Sequence, residues 1–417
     1  MAAVLLIIGL ILFVGLVVVH EFGHFIVARR NGVEVEEFGI GFPPKIWSRK
    51  TRGGFVFSIN LLPLGGFVRL KGEHDSDTEK GTFGAATTWA KTKIMAAGVG
   101  MNLLAAFVLF MILAWIGMPQ MINNQFTVKS DTKISSQELL AGGIQDGSPA
   151  AKAGLTSRDQ LIGAWTGSEE ASVVGNCIYP LLGHSTAGHC SQVAIPVSTT
   201  FNSVASLVNF TKDHAGQAIA LLVKRNGKLY ITAPITLLTN KVVAASENTN
   251  NPKGHLGISP VSYTLQRSTW SAPVVALGIM KQFTILTFQG LGSAFKGLGS
   301  IIAGFATHNT AARQTGQTQA SSQVSGPVGI FMILKDGSAL GYQLMLMIVA
   351  VISLSLAIMN VLPVPALDGG KVFVTYISRM FRKRISETVE DWIYGTSFML
   401  LLVLIAIITV VDVKHFF

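Results

Sequence analysis

Charge is scarce in this sequence. Only 13% of its 417 residues are Asp, Glu, Lys or Arg, against roughly 25% in an ordinary soluble domain. The deficit is concentrated in a few long apolar runs, and the mean hydropathy is +0.49. A single soluble domain is excluded; a multi-spanning membrane protein with a polar portion is expected. Acidic residues are scarcer than basic ones, 22 against 32, giving a net charge of +10. The basic residues flank the apolar runs, where orientation in an anionic membrane explains them better than a nucleic acid does, so no nucleic-acid partner is expected. Cysteine is nearly absent. Cys177 and Cys190 share one polar segment, as one disulfide facing an oxidising compartment or as two thiols. Internal repeats are absent as well, which argues against the paired inverted halves of many transporters.

What is present is a series of apolar runs with polar stretches between them. Ala2–Val19 leads directly into His20-Glu21-Phe22-Gly23-His24. A signal peptide would show a basic start and a small-residue cleavage site, and neither is seen. Residues 1–30 therefore read as a first transmembrane helix carrying the motif, long enough for a hydrocarbon core of ~30 Å. Residues 31–90 read as a membrane-associated β region, with strands at Phe55–Ile59 and Phe67–Leu70 around a turn containing Pro63, Gly65 and Gly66. Residues 91–118 hold the second span, with Gly98, Gly100 and Asn102 where close helix packing wants small or polar side chains. Residues 119–265 form a large polar domain. Within 266–341, the stretch 271–304 is moderately apolar but interrupted by glycines, and predicts an amphipathic helix on or dipping into the membrane, followed by a linker. The third span falls in 342–370, a polar connection in 371–391, and the fourth span in 392–417.

The positive-inside rule orients these four spans. Arg29, Arg30, Lys45, Arg49, Lys50 and Arg52 follow the first, and Lys371, Arg379, Arg382, Lys383 and Arg384 follow the third. Both connections belong in the cytoplasm. The N-terminus, the 119–265 domain and its cysteines then lie outside, and the His motif lies near the cytoplasmic side.

His20 and His24 stand four residues apart, on one face of a helix, so that both imidazoles can reach one metal ion, with Glu21 beside them to take a proton from water. The pattern alone is weak. Placed at the end of an apolar span, however, two histidines and a glutamate are expensive in lipid and demand compensation. A catalytic zinc takes three protein ligands and keeps a position open, so a third ligand is expected at similar depth. Asp368 meets that requirement. His20 and Asn360 both lie roughly 27 Å into their spans at about 1.5 Å per residue, and Pro363, Pro365 and Gly369-Gly370 then break the third helix. Broken backbone at that depth is tolerated only when buried in protein or lining a wet cavity.

The His20-Glu21-Phe22-Gly23-His24 motif, combined with Asn360-x-x-Pro363-x-Pro365-x-Leu367-Asp368-Gly369-Gly370, resembles the site-2 protease family of intramembrane metalloproteases. More narrowly it is similar to the bacterial regulator-of-sigma-E protease group. Leu62–Arg69 and Ser325–Gly329 extend the likeness over nearly the whole chain. The resemblance implies one Zn2+ per chain on His20, His24 and Asp368, with Glu21 as general base. It implies that Asn360 helps hold the substrate and that the strand at Gly65, Gly66, Phe67 and Val68 pairs with it. The implied activity is hydrolysis of peptide bonds in or near transmembrane segments within a bacterial inner or plasma membrane. The implied substrates are membrane proteins such as anti-sigma factors, or remnant signal peptides.

Gly142–Ile162 looks like the core of a PDZ domain, completed by a helix at Ser203–Asp213 and strands at Ala218–Lys224 and Lys228–Ile235. One such module is expected, where some relatives carry two, with an insertion at about 166–198 holding both cysteines. The expected fold class is thus a polytopic α-helical membrane protein of four spans, with a β region after the first helix and an outer PDZ-like α/β domain. The main rival is a transporter or proton relay, which also uses intramembrane His, Glu and Asp. A scaffold that binds partners through the PDZ-like groove is a second rival, but has no use for Glu21.

Overall fold

The computed structural model describes residues 2–166, 172–174, 178–180, 193–195, 199–225, 227–247, 249, 252–307, 326–381 and 385–416. Cys177, Cys190 and most of the expected 166–198 insertion lie outside them. The chain divides into two compact units, one formed by Met1–Met118, Asn124–Thr132 and Ser268–Phe417, the other by Pro119–Asn123 and Lys133–Arg267.

The first unit is built on helices α1 (Ala2–Arg30), α2 (Thr88–Ile116), α3 (Ala272–Ala306), α4 (Pro327–Leu340), α5 (Tyr342–Val361), α6 (Asp368–Met380) and α7 (Glu387–Phe416). Five of these contain stretches long and apolar enough to cross a membrane: Ala3–Arg30, Thr88–Ile116, Ala272–Ile301, Tyr342–Val361 and Glu387–Val410. Four were expected. The additional one is the stretch read as an amphipathic helix. Its mean hydropathy of 1.4 is the lowest of the five, because glycines and lysines dilute its apolar residues, and the others lie between 2.4 and 3.0. Helix α4 was not expected at all; it begins where Gly326 and Gly329 N–H both donate to Asp412 Oδ2, at 2.9 and 2.8 Å.

Lipid tails are as apolar as leucine, so helices in lipid associate through close packing and polar contacts rather than the hydrophobic effect. Small residues accordingly mark the seams. Ala106 and Ala114 of α2, Ala272 and Ala276 of α3 and Ala350 of α5 are fully or almost fully buried together with Phe110 and Leu113. Ser353 Oγ of α5 donates to the Asn102 carbonyl of α2 at 2.8 Å, a bond of about 0.6 kcal/mol in a membrane bundle.

Between α1 and α2 lies a sheet made from two long, folded-back strands, β1 (Val35–Lys50) and β2 (Val56–Leu70). Residues 35–40 pair with 66–70 on one side and with 56–59 on the other, and 45–50 pair with the far side of 56–60. The lateral order is therefore 66–70, 35–40, 56–60, 45–50, with 66–70 at one edge. The β2 halves match the expected strands. β1 escaped notice because Gly39, Gly41, Pro43 and Pro44 interrupt its alternation. Its Glu37 is buried between Lys45 and Arg69, at 2.7 and 3.2 Å. Phe42, Ile46, Trp47, Ile59, Leu61 and Leu62 are exposed around the sheet's tips, a patch suited to lipid.

In the second unit, strands β3 (Lys133–Ile144), β4 (Gln160–Trp165), β5 (Ala218–Arg225), β6 (Lys228–Ile231) and β7 (Ile258–Arg267) form a sheet in the order β7-β3-β4-β5-β6. The Val204–Asp213 helix packs on it, opened by a reciprocal capping box between Ser203 and Ser206. Leu161, Phe201, Leu207, Phe210, Ile219, Leu221 and Val223 fill the core between them. Asp159, fully buried at β4, takes a two-pronged ion pair from Arg225 of β5 at 2.7 Å on each oxygen.

Candidate metal centre

The site is assembled where α1, α2 and α6 meet. His20 and His24 fall one turn apart on α1 with rings edge to face, and both are buried at 7% exposure. α2 reaches them because Gly98 has no side chain: a Cβ there would overlap His24 Nε2 and lie 2.6 Å from His20 Cε1. Gly23 of α1 plays the reciprocal part, since a Cβ would stand 2.6 Å from the Ala97 carbonyl. Asp368 arrives from another direction. After α5 ends, residues 362–367 leave the helix and are secured by their own backbone bonds and by Ala366 N–H donating to Ser397 Oγ of α7 at 3.2 Å. The chain then re-enters a helix at Asp368, where the first-turn amides favour a carboxylate. Gly369 and Gly370 are required there because a Cβ on either would strike the carbonyls of Val361 and Val364.

The three ligand atoms make a nearly equilateral triangle. His20 Nε2 and His24 Nε2 are 3.2 Å apart, and Asp368 Oδ2 lies 3.1 Å from the first and 3.3 Å from the second. Donors about 2.0–2.1 Å from a tetrahedral zinc stand roughly 3.3–3.4 Å from one another. Two imidazole nitrogens and a carboxylate oxygen that is buried without a hydrogen-bond donor are also the donor types that zinc takes. The site therefore fits the ion in geometry and in chemistry.

Glu21, half-buried, sits beside the triangle and accepts a hydrogen bond from the Val68 backbone. This ties its carboxylate to the edge strand of the sheet, whose Gly66 and Gly65 lie against Glu21, Val18 and Val17 of α1. The structure thus brings together His20, Glu21, His24, Asp368 and the Gly65–Val68 segment. Asn360 stands half-buried in the last turn of α5, and its side chain makes no hydrogen bond among the described residues.

A second group of donors gathers His74, Glu387 and Asp391. These are partly or largely exposed, and ion pairing explains them. His74 Nε2 lies 3.0 Å from Asp391, whose carboxylate holds the imidazole above its usual range against the opposing effect of partial burial. Beside it the buried Asp75 joins Lys91 of α2 and Arg379 of α6, at 2.7 and 2.9 Å. Sequence reasoning passed over this network, whose members are spread over four separate stretches of chain.

A membrane-embedded helical bundle with a buried His-His-Asp triangle and an adjacent glutamate defines a class: metal-dependent hydrolases set in a bilayer. The sequence of residues 8–404 matches the model of peptidase family M50. Two clostridial relatives bear names containing the words zinc metalloprotease. That of Clostridium perfringens is 28% identical, with 98% of each chain covered. That of Clostridium acetobutylicum is 26% identical, covering 98% of this chain and 97% of its own. A relative in Enterococcus faecalis, whose name contains the word protease, is 24% identical over 98% of each chain. The chain belongs to peptidase family M50, the site-2 protease family, and is a zinc metalloprotease of that type. The family implies a lipid setting and membrane-protein substrates, and it decides against the transporter.

Proposed function

We propose that this protein hydrolyses peptide bonds in or near transmembrane segments of other membrane proteins, with one zinc ion held by His20, His24 and Asp368. The observation that carries the reading is the buried triangle of three donors, with Glu21 beside it. When bound, zinc would supply Lewis acidity for water and for the scissile carbonyl. Glu21 takes the proton from the attacking water and returns it to the departing amine. Burial of the site among α1, α2 and α6 limits competing water. The edge formed by residues 66–70, which pairs with no further strand among the described residues, offers a place for an unwound substrate segment to pair as an added strand, which would lay its peptide bonds along Glu21. Asn360 helps hold that segment in this reading. Anti-sigma factors and remnant signal peptides are the substrate types in view. The setting is a bacterial inner or plasma membrane, with the site towards the cytoplasm.

The test compares wild type with Glu21→Gln for zinc content and for cleavage of a model transmembrane substrate. Zinc should be retained and cleavage should fall by at least about 100-fold, the usual scale for a lost general base. Undiminished cleavage, or a wild type that binds no zinc, would refute the reading.

The second unit is PDZ-like in this reading, its sheet and its capped Val204–Asp213 helix being the parts such modules use to seat an extended chain end. A peptide with a free C-terminus should perturb the amide signals of β7 and of the Val204–Asp213 helix packed near it. Unmoved signals at saturating peptide would count against the assignment.

A further inference from the structure

The two histidines are held from behind by different groups of the same helix. His24 Nδ1 lies 2.7 Å from the Ile94 carbonyl oxygen of α2. A carbonyl can only accept, so His24 carries a proton on Nδ1, and as a neutral imidazole it presents a bare Nε2 to the triangle. His20 Nδ1 lies 3.2 Å from the side-chain amide of Asn102, two turns further along α2. An amide can present either its NH2 or its oxygen from one position, and the choice follows from the hydrogen-bond network. With NH2 towards His20, the ring must keep Nδ1 bare and place its proton on Nε2. That proton would then occupy the gap shared with His24 Nε2 and Asp368 Oδ2, where a metal ligand must be bare. In the same orientation Asn102 Oδ1 is buried with no donor.

We propose that Asn102 is a positioning residue for the metal: its side-chain oxygen accepts a hydrogen bond from His20 Nδ1–H and fixes the tautomer that leaves Nε2 free for zinc. Its location suits the task. Asn102 is 1% exposed, and its backbone carbonyl is held by Ser353 independently of the side chain. α2 thereby does for His20 with a side chain what it does for His24 with a backbone carbonyl, and outer-shell partners of this kind set ring orientation and ligand basicity. The proposal rests on the zinc-protease reading above.

The experiment uses the full chain in detergent or nanodiscs. Zinc affinity is measured by competition with a chromophoric chelator for wild type, Asn102→Leu and Asn102→Asp, and the His20 tautomer is read from 15N shifts of the metal-free protein. Loss of an outer-shell partner typically weakens metal binding about 10–100-fold, and Asn102→Leu should fall in that range. Asn102→Asp keeps an acceptor oxygen and should stay within a few-fold of wild type. The wild-type spectrum should show His20 protonated on Nδ1. Three results would overturn the proposal: a wild-type Nε2–H tautomer, wild-type affinity in Asn102→Leu, or an Asn102→Asp variant that is folded yet as weak as the leucine variant. The spectrum needs no variant, so a misfolded Asn102→Leu does not shield the idea. A wild type that binds no zinc at all refutes instead the protease reading beneath it.

Discussion

At the scale of residues, the members of the candidate site were legible because each breaks a rule of its surroundings. His20, Glu21 and His24 are polar at the end of an apolar run, and Asp368 follows a proline-broken helix at matching depth; the structure places all of them within one cluster. Asn102 and Gly98 were visible only as packing residues, because nothing in a linear sequence says which turn of α2 faces His20. Gly98 now has a sharper role. The overlap that a Cβ would make with His24 Nε2 means that Gly98→Ala must push α2 away or turn an imidazole, and either change spoils a triangle whose sides are 3.1–3.3 Å. The expected outcome is at least about tenfold weaker zinc binding, measured by chelator competition, in a chain that remains folded by circular dichroism. Gly100, which has open space around its Cβ position, should accept alanine with unchanged affinity and serves as the control.

At the scale of elements, the long apolar helices lie close to where hydropathy puts them, because length and continuous hydropathy specify them directly, whereas the shorter α4 was missed. The sheet was half found. Its β2 segments alternate in the expected way, but β1 is made largely by pairing that its own residues do not advertise, with residues 35–40 serving two partners at once. The edge that results has a consequence for substrate. Val68 N–H points away from β1, towards Glu21, and alternation along an antiparallel strand gives Gly66 N–H the same outward direction. Gly66→Pro removes that outward donor while leaving the bonds to residues 35–40 in place. If an incoming segment pairs with this edge, the proline should cut cleavage of a transmembrane substrate severalfold or more without loss of zinc. Gly66→Ala controls for the added carbon, whose nearest neighbour would be the Gly39 carbonyl at 3.1 Å. Equal cleavage by the proline and alanine variants would remove strand pairing from the mechanism.

At the scale of the bundle, the number of crossings is a question of parity. α2 runs antiparallel to α1, since Gly98 and Asn102 meet His20 while Ala105 and Leu109 pack with Leu10, Leu12 and Leu16. α5 runs parallel to α1: Met345 lies against Gly9, Val349 packs with Leu16, and Asp368 follows the end of α5 at His20. The end of α2 and the start of α5 therefore lie on the same side of the membrane, and the chain between them crosses an even number of times. α3 is long enough to cross once, but α4, with 14 residues, is about 21 Å long, short of the ~30 Å core. A crossing by α3 thus has no return partner among the described residues, and four crossings satisfy parity without one. Charge counting along the sequence could orient the spans but could not weigh α3, because the decisive contacts join residues far apart in the chain. The measurement is labelling by a membrane-impermeant maleimide in spheroplasts, with Cys177 and Cys190 replaced by serine. A cysteine at Gln317 should react from the same side as one at Lys129, which lies in the exposed segment after α2. Reaction from the opposite side would establish that α3 crosses and that the chain returns before α5, raising the count to six.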